Sequence, residues 1–322
     1  MNFMSLQIDY LLLLQHFREV TGGVFDSFFM FITHFGETTV PLGMLAIIFW
    51  SLHSQLAMNI YLNLGTGSFI CDVFKNLACI YRPWILDSRI QPLPEAMTHA
   101  DGYSFPSGHT QNAVSVWGTL ALFFKNKFVK ILLVLLIFGV ALSRNYVGVH
   151  TPQDVIVSLM VGTFIIFTMP ILLKWVEKGQ NRDIVVYCAA IICGFAFLIY
   201  EHFKAYPLDY INGELLVNPE DMKFVSFPKT GMFLGVFTGW FVNKRFLHFD
   251  GSQGSTAAKI IRAVIGIALY ILIYSNAKVF LKSIMDARLA MFCNSFILVV
   301  FATIIYPYII NFVQKILIKT KN

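Results

Sequence analysis

The chain is poor in charged residues, and this shortage excludes an ordinary soluble domain. Only 13% of its 322 residues are charged and 57% are hydrophobic, whereas globular domains carry about 25% charged residues. Apolar runs such as residues 131–142 and 184–200 lack the regularly spaced polar residues that a soluble helix exposes to water. A membrane helix needs about 20 apolar residues, and several segments reach that length with their flanks. The composition therefore predicts an integral membrane protein.

Other features are missing as well. None of the five cysteines forms a Cys-x-x-Cys pair, so we interpret them as small apolar side chains. The first 36 residues contain no basic segment ahead of an apolar one, which predicts that no signal peptide is cleaved. The sequence also lacks repeats, low-complexity tracts and a carboxylate cluster typical of metal sites. We therefore expect neither a metal nor another cofactor.

The apolar pattern predicts an all-α, multi-pass membrane helix bundle with about nine spans. Residues 1–36 are interrupted by charges and glycines and predict short helices lying at the membrane interface. Residues 37–178 form a predicted five-span core, and residues 179–322 a four-span extension. The predicted spans are residues 37–54, 56–78, 109–125, 128–146, 152–174, 184–203, 229–246, 258–280 and 287–315.

The distribution of basic residues predicts the orientation. Lysines and arginines cluster in the turns after predicted spans three, five and seven and at the chain end, all on one side if the spans alternate. Basic residues in short loops mark the cytoplasmic side, so residues 79–108 should face outward. The net charge of +6 then reflects topology, and no nucleic-acid partner is expected. The clusters are Lys125, Lys127 and Lys130; Lys174, Lys178 and Arg182; Lys244, Arg245, Lys259 and Arg262; and Lys315, Lys319 and Lys321.

Residues suited to phosphate chemistry meet at this outer side. Three cations, Lys75, Arg82 and Arg144, lie there without an equal number of acids and would repel one another unless an anion sat among them. Ser107 and Gly108 stand where a helix should begin, and the free N–H groups of a helix start favour an anion. The pattern predicts a phosphate-binding site.

Two histidines supply a possible reaction. Asp154 follows His150 by four residues, so its carboxylate is placed to fix one imidazole nitrogen and leave the other free to attack. His109 is placed to protonate a leaving oxygen and then to activate water. The pattern Thr151-Pro152-x-Asp154 is equally typical of a helix cap, and Ser107 is also a candidate for a plain N-cap.

In order, the motifs are Lys-x6-Arg-Pro, Pro-Ser-Gly-His and Ser-Arg-x5-His-x3-Asp. Together they resemble the signature of the type 2 phosphatidic acid phosphatase superfamily, which includes lipid phosphate phosphatases and vanadium haloperoxidases, over about residues 20–175. The opening segment and the loop SFPSGHTQNA resemble its longer bacterial members. The resemblance implies that His150 is a nucleophile forming a phosphohistidine, with Asp154 supporting it, and that His109 is the acid and then the base. It implies phosphate binding by Lys75, Arg82, Ser107, Gly108 and Arg144.

The expected function is hydrolysis of a phosphomonoester or pyrophosphate of a lipid, without metal, at the outer face of a bacterial inner membrane. The C-terminus would be cytoplasmic, and membrane lipids and a lipid phosphate or pyrophosphate would be the partners; the oligomeric state stays open. The alternatives are a phosphotransferase using the same histidine and a non-catalytic lipid-phosphate binder or transporter. His99 and Asp101 are candidates for the site entrance. The glycines at 231, 235 and 239 predict close helix packing, with a substrate groove or dimer face as the alternative.

Overall fold

The computed structural model describes residues 3–98, 100, 102–211 and 213–319. Almost all of the described chain is helical, and one short antiparallel pair, Tyr210–Ile211 with Glu214–Leu215, is its only sheet there. The predicted all-α class is thus correct apart from this hairpin. The predicted entrance residues His99 and Asp101, and Lys321 of the last basic cluster, lie outside the described residues.

The helices are separated by short turns, and three π-helical turns interrupt them at Val114–Gly118, Asn243–Leu247 and Phe301–Ile305. A 3-10 turn, His34–Gly36, follows the second helix. The helices are α1 (Phe3–Val20), α2 (Asp26–Thr33), α3 (Thr39–Ser51), α4 (Ser54–Ala78), α5 (Pro83–Leu86), α6 (Pro94–Met97), α7 (Gly108–Ala113), α8 (Thr119–Phe123), α9 (Lys127–Tyr146), α10 (Pro152–Glu177), α11 (Arg182–Phe203), α12 (Pro219–Val242), α13 (Thr256–Ile284), α14 (Ala287–Val300) and α15 (Tyr306–Lys319).

Five helical stretches of the described chain are long and apolar enough to cross a membrane. A sixth candidate would combine Asp26–Gly36 with Pro41–Ser51 as one broken span. Each of the nine predicted spans is mostly helical, although residues 37–38, 52–53 and 124–125 are not. The count of nine and the interfacial position of α1 and α2 stay predictions. The five stretches are Lys127–Tyr146, Pro152–Glu177, Arg182–Phe203, Thr256–Ile284 and Ala287–Ile316.

The start of α12 differs from the sequence prediction. We predicted a span from residue 229, after Pro228, but the helix begins at Pro219. Asn218 caps it, because its Oδ1 accepts the Glu220 N–H at 3.1 Å, and acidic residues suit the positive end of the helix dipole. Pro228 lies inside the helix, where it removes one backbone donor without ending it.

The chain forms two compact units that interleave along the sequence. The first comprises Met1–Thr38, Thr66–Thr168 and Tyr200–Ser226, and the second comprises Thr39–Gly65, Met169–Ile199 and Phe227–Asn322. Every residue predicted to take part in catalysis or phosphate binding belongs to the first unit. The division by chain order at residues 36 and 178 stays a prediction.

Within the second unit, the glycine pattern of α12 packs as predicted. A Cβ at Gly235 would lie 3.1 Å from the Phe296 carbonyl oxygen, and one at Gly231 would overlap the Phe292 carbonyl. A side chain at Gly239 would collide with Thr303. The small residues therefore let α12 approach the α14 backbone closely, as small-residue stripes do between membrane helices.

Candidate active site

His150 lies on a tightly held loop between α9 and α10. The backbone N–H groups of Val149 and His150 both donate to the Arg144 carbonyl, at 3.2 and 3.3 Å. Gly148 adopts a φ of +78°, and a Cβ there would lie 3.1 Å from the Pro92 Cα. Glycine alone reaches this conformation without strain. The loop thus fixes His150, whose side chain is only 3% exposed.

The hydrogen bonds of His150 define its tautomer. Its Nδ1 lies 3.2 Å from Asp154 Oδ2, and its Nε2 lies 3.1 Å from Arg82 Nη1. Because a guanidinium nitrogen only donates, Nε2 must accept and the ring proton must sit on Nδ1. The Nε2 lone pair therefore points toward the cation. The contact of Nδ1 with Asp154 agrees with the predicted orientation of the ring, whereas Nε2 is not free but accepts a hydrogen bond from Arg82.

Asp154 both caps α10 and contacts His150, the two roles between which the sequence could not decide. Its Oδ2 accepts the Thr151 N–H at 2.8 Å, and its own N–H donates to Thr151 Oγ1 at 3.4 Å. These two bonds form the capping arrangement at the start of α10. The same Oδ2 accepts from His150, so one carboxylate caps the helix and orients the imidazole.

Ser104 completes this buried group and was missed by the sequence analysis. Its Oγ donates to Asp154 Oδ2 at 2.5 Å and lies 3.4 Å from His150 Nδ1. Ser104 is fully buried. It precedes the Pro-Ser-Gly-His motif by two positions, and this proximity in sequence was its only signal. The contact holds the carboxylate oxygen that faces the imidazole.

The three predicted phosphate-binding cations are all buried in the first unit. Lys75 Nζ donates to the Tyr103 and Ser104 carbonyls at 2.6 and 3.0 Å. Arg82 Nε donates to the Gly102 carbonyl at 3.1 Å, and its Nη1 donates to the Val149 carbonyl at 3.0 Å and to the His150 ring at 3.1 Å. Buried cations held mainly by neutral carbonyls favour a bound anion.

Arg144 has two buried N–H donors without a hydrogen-bond partner among the described residues. These are Nε and Nη2, whereas Nη1 donates to Thr33 Oγ1 at 2.7 Å. The side chain is only 1% exposed. Buried donors left without a partner are costly, and two adjacent ones match the oxygens of a phosphate. Thr33, in the N-terminal segment, was not predicted as a site residue.

Ser107, Gly108 and His109 lie where α7 begins. Ser107 is the N-cap of α7, because its Oγ accepts the Thr110 N–H at 3.5 Å and the Thr110 hydroxyl at 3.0 Å. Its N–H donates to the Asp154 carbonyl at 3.1 Å, which ties the start of α7 to α10. A Cβ at Gly108 would meet nothing within 4 Å, so open space adjoins this backbone.

His109 is partly exposed on the first turn of α7. Gly36 packs behind it, since a Cβ at Gly36 would lie 2.6 Å from the His109 carbonyl oxygen. Asn112 Nδ2 donates to the Gly36 carbonyl at 3.0 Å and Trp117 Nε1 to the Phe35 carbonyl at 2.8 Å. The N-terminal segment thus fixes the helix that carries His109. Unlike His150, His109 is partly exposed as a residue, although its ring Nε2 is buried.

Burial and positive charge set the protonation state of His150. Desolvation lowers its pKa well below the usual 6.5, and the charges of Arg82, Lys75 and Arg144 lower that pKa further. Both causes disfavour the imidazolium. The ring is therefore neutral over the physiological pH range and retains its Nε2 lone pair.

Two family comparisons match most of the chain. The family described as PAP2 superfamily matches residues 56–180. The family described as PAP2 superfamily phosphatase, transmembrane extension, matches residues 227–316. The Bacillus subtilis protein Undecaprenyl-diphosphatase BcrC is 32% identical over 150 residues, which cover 45% of this chain and 74% of that protein.

The chain belongs to the PAP2 superfamily. Phosphatidylglycerophosphatase B of Bacillus subtilis is 29% identical over 42% of this chain and 69% of its own length. Lipid phosphate phosphatase delta of Arabidopsis thaliana is 26% identical over 48% of this chain, but only 40% of that protein is covered. No solved structure gives a significant match. The chain is thus a PAP2 phosphatase with helices suited to a membrane, which confirms the predicted family.

All eight predicted site residues lie inside the PAP2 match at residues 56–180, and the second match falls in the predicted extension. Residues 181–226 lie between the two matched ranges. Part of this intervening stretch, Tyr200–Ser226, nevertheless belongs to the same compact unit as the site.

Proposed function

We propose that this PAP2 phosphatase hydrolyses a lipid phosphomonoester or pyrophosphate through a covalent phosphohistidine on His150. The observation that carries the proposal is the geometry of His150, whose Nδ1 faces Asp154 while its Nε2 faces Arg82. A neutral imidazole whose Nε2 lone pair faces a phosphate-binding cation is a nucleophile placed for attack on phosphorus once the phosphate engages that cation. The donors of Arg144 that lack partners in the described part of the chain support an anion there.

In the first step, His150 Nε2 forms a bond to phosphorus while the bond from phosphorus to the leaving oxygen breaks. His109 donates a proton to that oxygen, so a lipid alcohol or a lipid phosphate leaves. Charge develops on the transferring phosphoryl group, and Lys75, Arg82 and Arg144 stabilise it. Asp154 stabilises the positive charge that the imidazole acquires.

In the second step, His109 accepts a proton from water as the water oxygen bonds to phosphorus. The bond from phosphorus to His150 Nε2 breaks, inorganic phosphate leaves, and the histidine regains its lone pair. His109 is partly exposed as a residue while its Nε2 is buried, so this role requires water to reach the ring within the site. Open space beside Gly108 suits the phosphate oxygens.

The relatives support the substrate class. Their names specify a phosphatidylglycerophosphatase, an undecaprenyl-diphosphatase and a lipid phosphate phosphatase. We infer a lipid substrate carrying a terminal phosphate, either a monoester or the outer phosphate of a pyrophosphate. The four basic clusters of the sequence support our proposal that the site lies at the outer membrane face and the C-terminus in the cytoplasm. We extend this to nine spans, with α1 and α2 at the interface.

The test is phosphate release by detergent-solubilised protein across phosphatidate, phosphatidylglycerol phosphate, undecaprenyl pyrophosphate, sphingoid phosphates and sugar phosphates, with and without EDTA. We expect phosphate release from lipid substrates, and EDTA should not lower its rate. His150→Ala should lower kcat by at least about 1000-fold. The matched control is His16→Ala, since His16 is exposed on α1. Normal turnover by His150→Ala would refute the mechanism.

Labelling with a radioactive phosphoryl group, stopped by denaturation at alkaline pH, provides a second readout. We expect an acid-labile, base-stable phosphoenzyme in the wild type and none in His150→Ala. Transfer of the label to an added alcohol, in preference to water, would instead identify a phosphotransferase. Tight lipid-phosphate binding without any phosphate release would identify the non-catalytic binder.

A further inference from the structure

A short stretch of chain, Gly102 and Tyr103-Ser104, holds the catalytic cations from one side. Its three consecutive carbonyls accept from Arg82 Nε (3.1 Å) and, twice, from Lys75 Nζ (2.6 and 3.0 Å). The Ser104 hydroxyl, on the same stretch, holds the carboxylate of Asp154. We call residues 102–104 the carbonyl strap. Any movement of the strap would move both cations relative to His150.

The strap is supported on its other side by a segment that lies outside both family matches. Tyr103 is fully buried in an apolar cluster with Tyr206, Val217 and Met222. At Gly102, where φ is +61°, a Cβ would collide with the Met222 sulfur. All of these residues belong to the first compact unit. Three residues of the segment, Tyr206, Val217 and Met222, therefore pack in one cluster with Tyr103 of the strap.

Tyr206 also binds the helix that carries Lys75. Its hydroxyl donates to Asn76 Oδ1 at 2.6 Å, and Asn76 Nδ2 donates to Ser226 Oγ at 3.1 Å and to the Asp72 carbonyl at 2.9 Å. Asn76 is completely buried and follows Lys75 on α4. Tyr206 thus binds the end of α4 and packs in the same buried cluster as Tyr103 of the strap, and Lys75 bridges α4 and the strap.

We propose that Tyr206 is a positioning residue for phosphate binding, which sets the separation between α4 and the carbonyl strap and thereby the position of the Lys75 ammonium. Its ring fixes the strap through Tyr103, and its hydroxyl fixes α4 through Asn76. The segment Tyr206–Met222 then acts as a built-in support of the phosphate site. The proposal rests on the proposed function, because it assumes that Lys75 binds the phosphate of the substrate.

Tyr206→Phe tests the idea with the smallest change, since the ring and its packing are kept. Loss of the hydroxyl leaves the Asn76 oxygen without this donor, and an unmet buried acceptor drives local rearrangement. We expect the inhibition constant for inorganic phosphate, and the KM of the best substrate, to rise about fivefold. The value of kcat should change by less than about twofold. Tyr210→Phe is the matched control, because Tyr210 is exposed in the same segment.

A second comparison separates positioning from a general loss of stability. If Tyr206 acts through Lys75, the two substitutions will not be additive. In a Lys75→Gln background, Tyr206→Phe should leave the inhibition constant for inorganic phosphate unchanged. A merely structural role would instead lower the melting temperature and the active fraction in both backgrounds without altering that constant.

The outcomes also distinguish this inference from the proposed function. A wild-type protein that neither releases phosphate nor is inhibited by inorganic phosphate overturns the proposed function. A normal wild type whose inhibition constant and KM are the same in Tyr206→Phe overturns the positioning role alone. The positioning role would also be overturned if Tyr206→Phe raised the inhibition constant for inorganic phosphate by the same factor in the Lys75→Gln background.

Discussion

Asp154→Asn separates the catalytic role of Asp154 from its role in capping α10. The substitution preserves the size of the side chain and keeps an oxygen that can accept the Thr151 N–H, now 2.8 Å away. It removes the negative charge that faces His150 Nδ1 at 3.2 Å. A hydrogen bond to a charged group contributes about 1.5–3 kcal/mol, and about 1.36 kcal/mol corresponds to a tenfold change in rate.

On that basis kcat should fall about 10- to 150-fold. The fall will be larger if the new amide donates to Nδ1, because the ring proton then moves to Nε2 and blocks the lone pair. The assay is phosphate release under saturating substrate, with the melting temperature of each variant measured in the same detergent. Asp9→Asn is the control, since Asp9 is an exposed carboxylate on α1.

The result that would refute this reasoning is a kcat within twofold of wild type. Asp154 would then be a helix cap only, and the orientation of His150 would depend on Ser104 and Arg82. A large fall in melting temperature together with a normal kcat per folded molecule would have the same meaning.

Two other predictions follow from the electrostatics and the packing. Because desolvation and nearby cations lower the pKa of His150, its neutral form persists below the usual value, and the acid limb of kcat/KM due to this residue should lie below about pH 6.5; a limb from His150 at or above that pH would contradict the burial argument. Gly231→Leu should lower the melting temperature by several degrees, since a Cβ at Gly231 overlaps the Phe292 carbonyl in the second unit. Leu269→Ala is the control, because Leu269 is exposed. An unchanged melting temperature in Gly231→Leu would exclude tight packing at Gly231.

Some of the site was predictable because the groups that do chemistry are constrained in sequence. The four-residue spacing of His150 and Asp154 places both beside the start of one helix, and the contact at 3.2 Å follows from that spacing. The two interpretations of Asp154 could not be separated from sequence, because a capping acid and a histidine partner occupy the same position. The structure contains both contacts on one oxygen.

Other contacts could not be predicted from the sequence because they join distant parts of the chain. Ser104 reaches Asp154 across 50 positions, Thr33 reaches Arg144 across 111, and Tyr206 reaches Asn76 across 130. None of the three has a spacing or residue type that marks it as functional. The helix α12 begins ten residues before the predicted span, because the apolar pattern starts near residue 229 whereas the cap at Asn218 starts the helix at Pro219.

The sequence by itself determined the membrane class, the family and the eight residues proposed to bind and cleave phosphate. Apolar length and the spacing of charged groups are local properties, and both can be followed along a single chain. Only the tertiary structure decided which nitrogen of His150 carries the proton, which donors of Arg144 are left for an anion, and how Tyr206 supports the carbonyl strap. These depend on distances between segments far apart in sequence, and packing alone sets such distances.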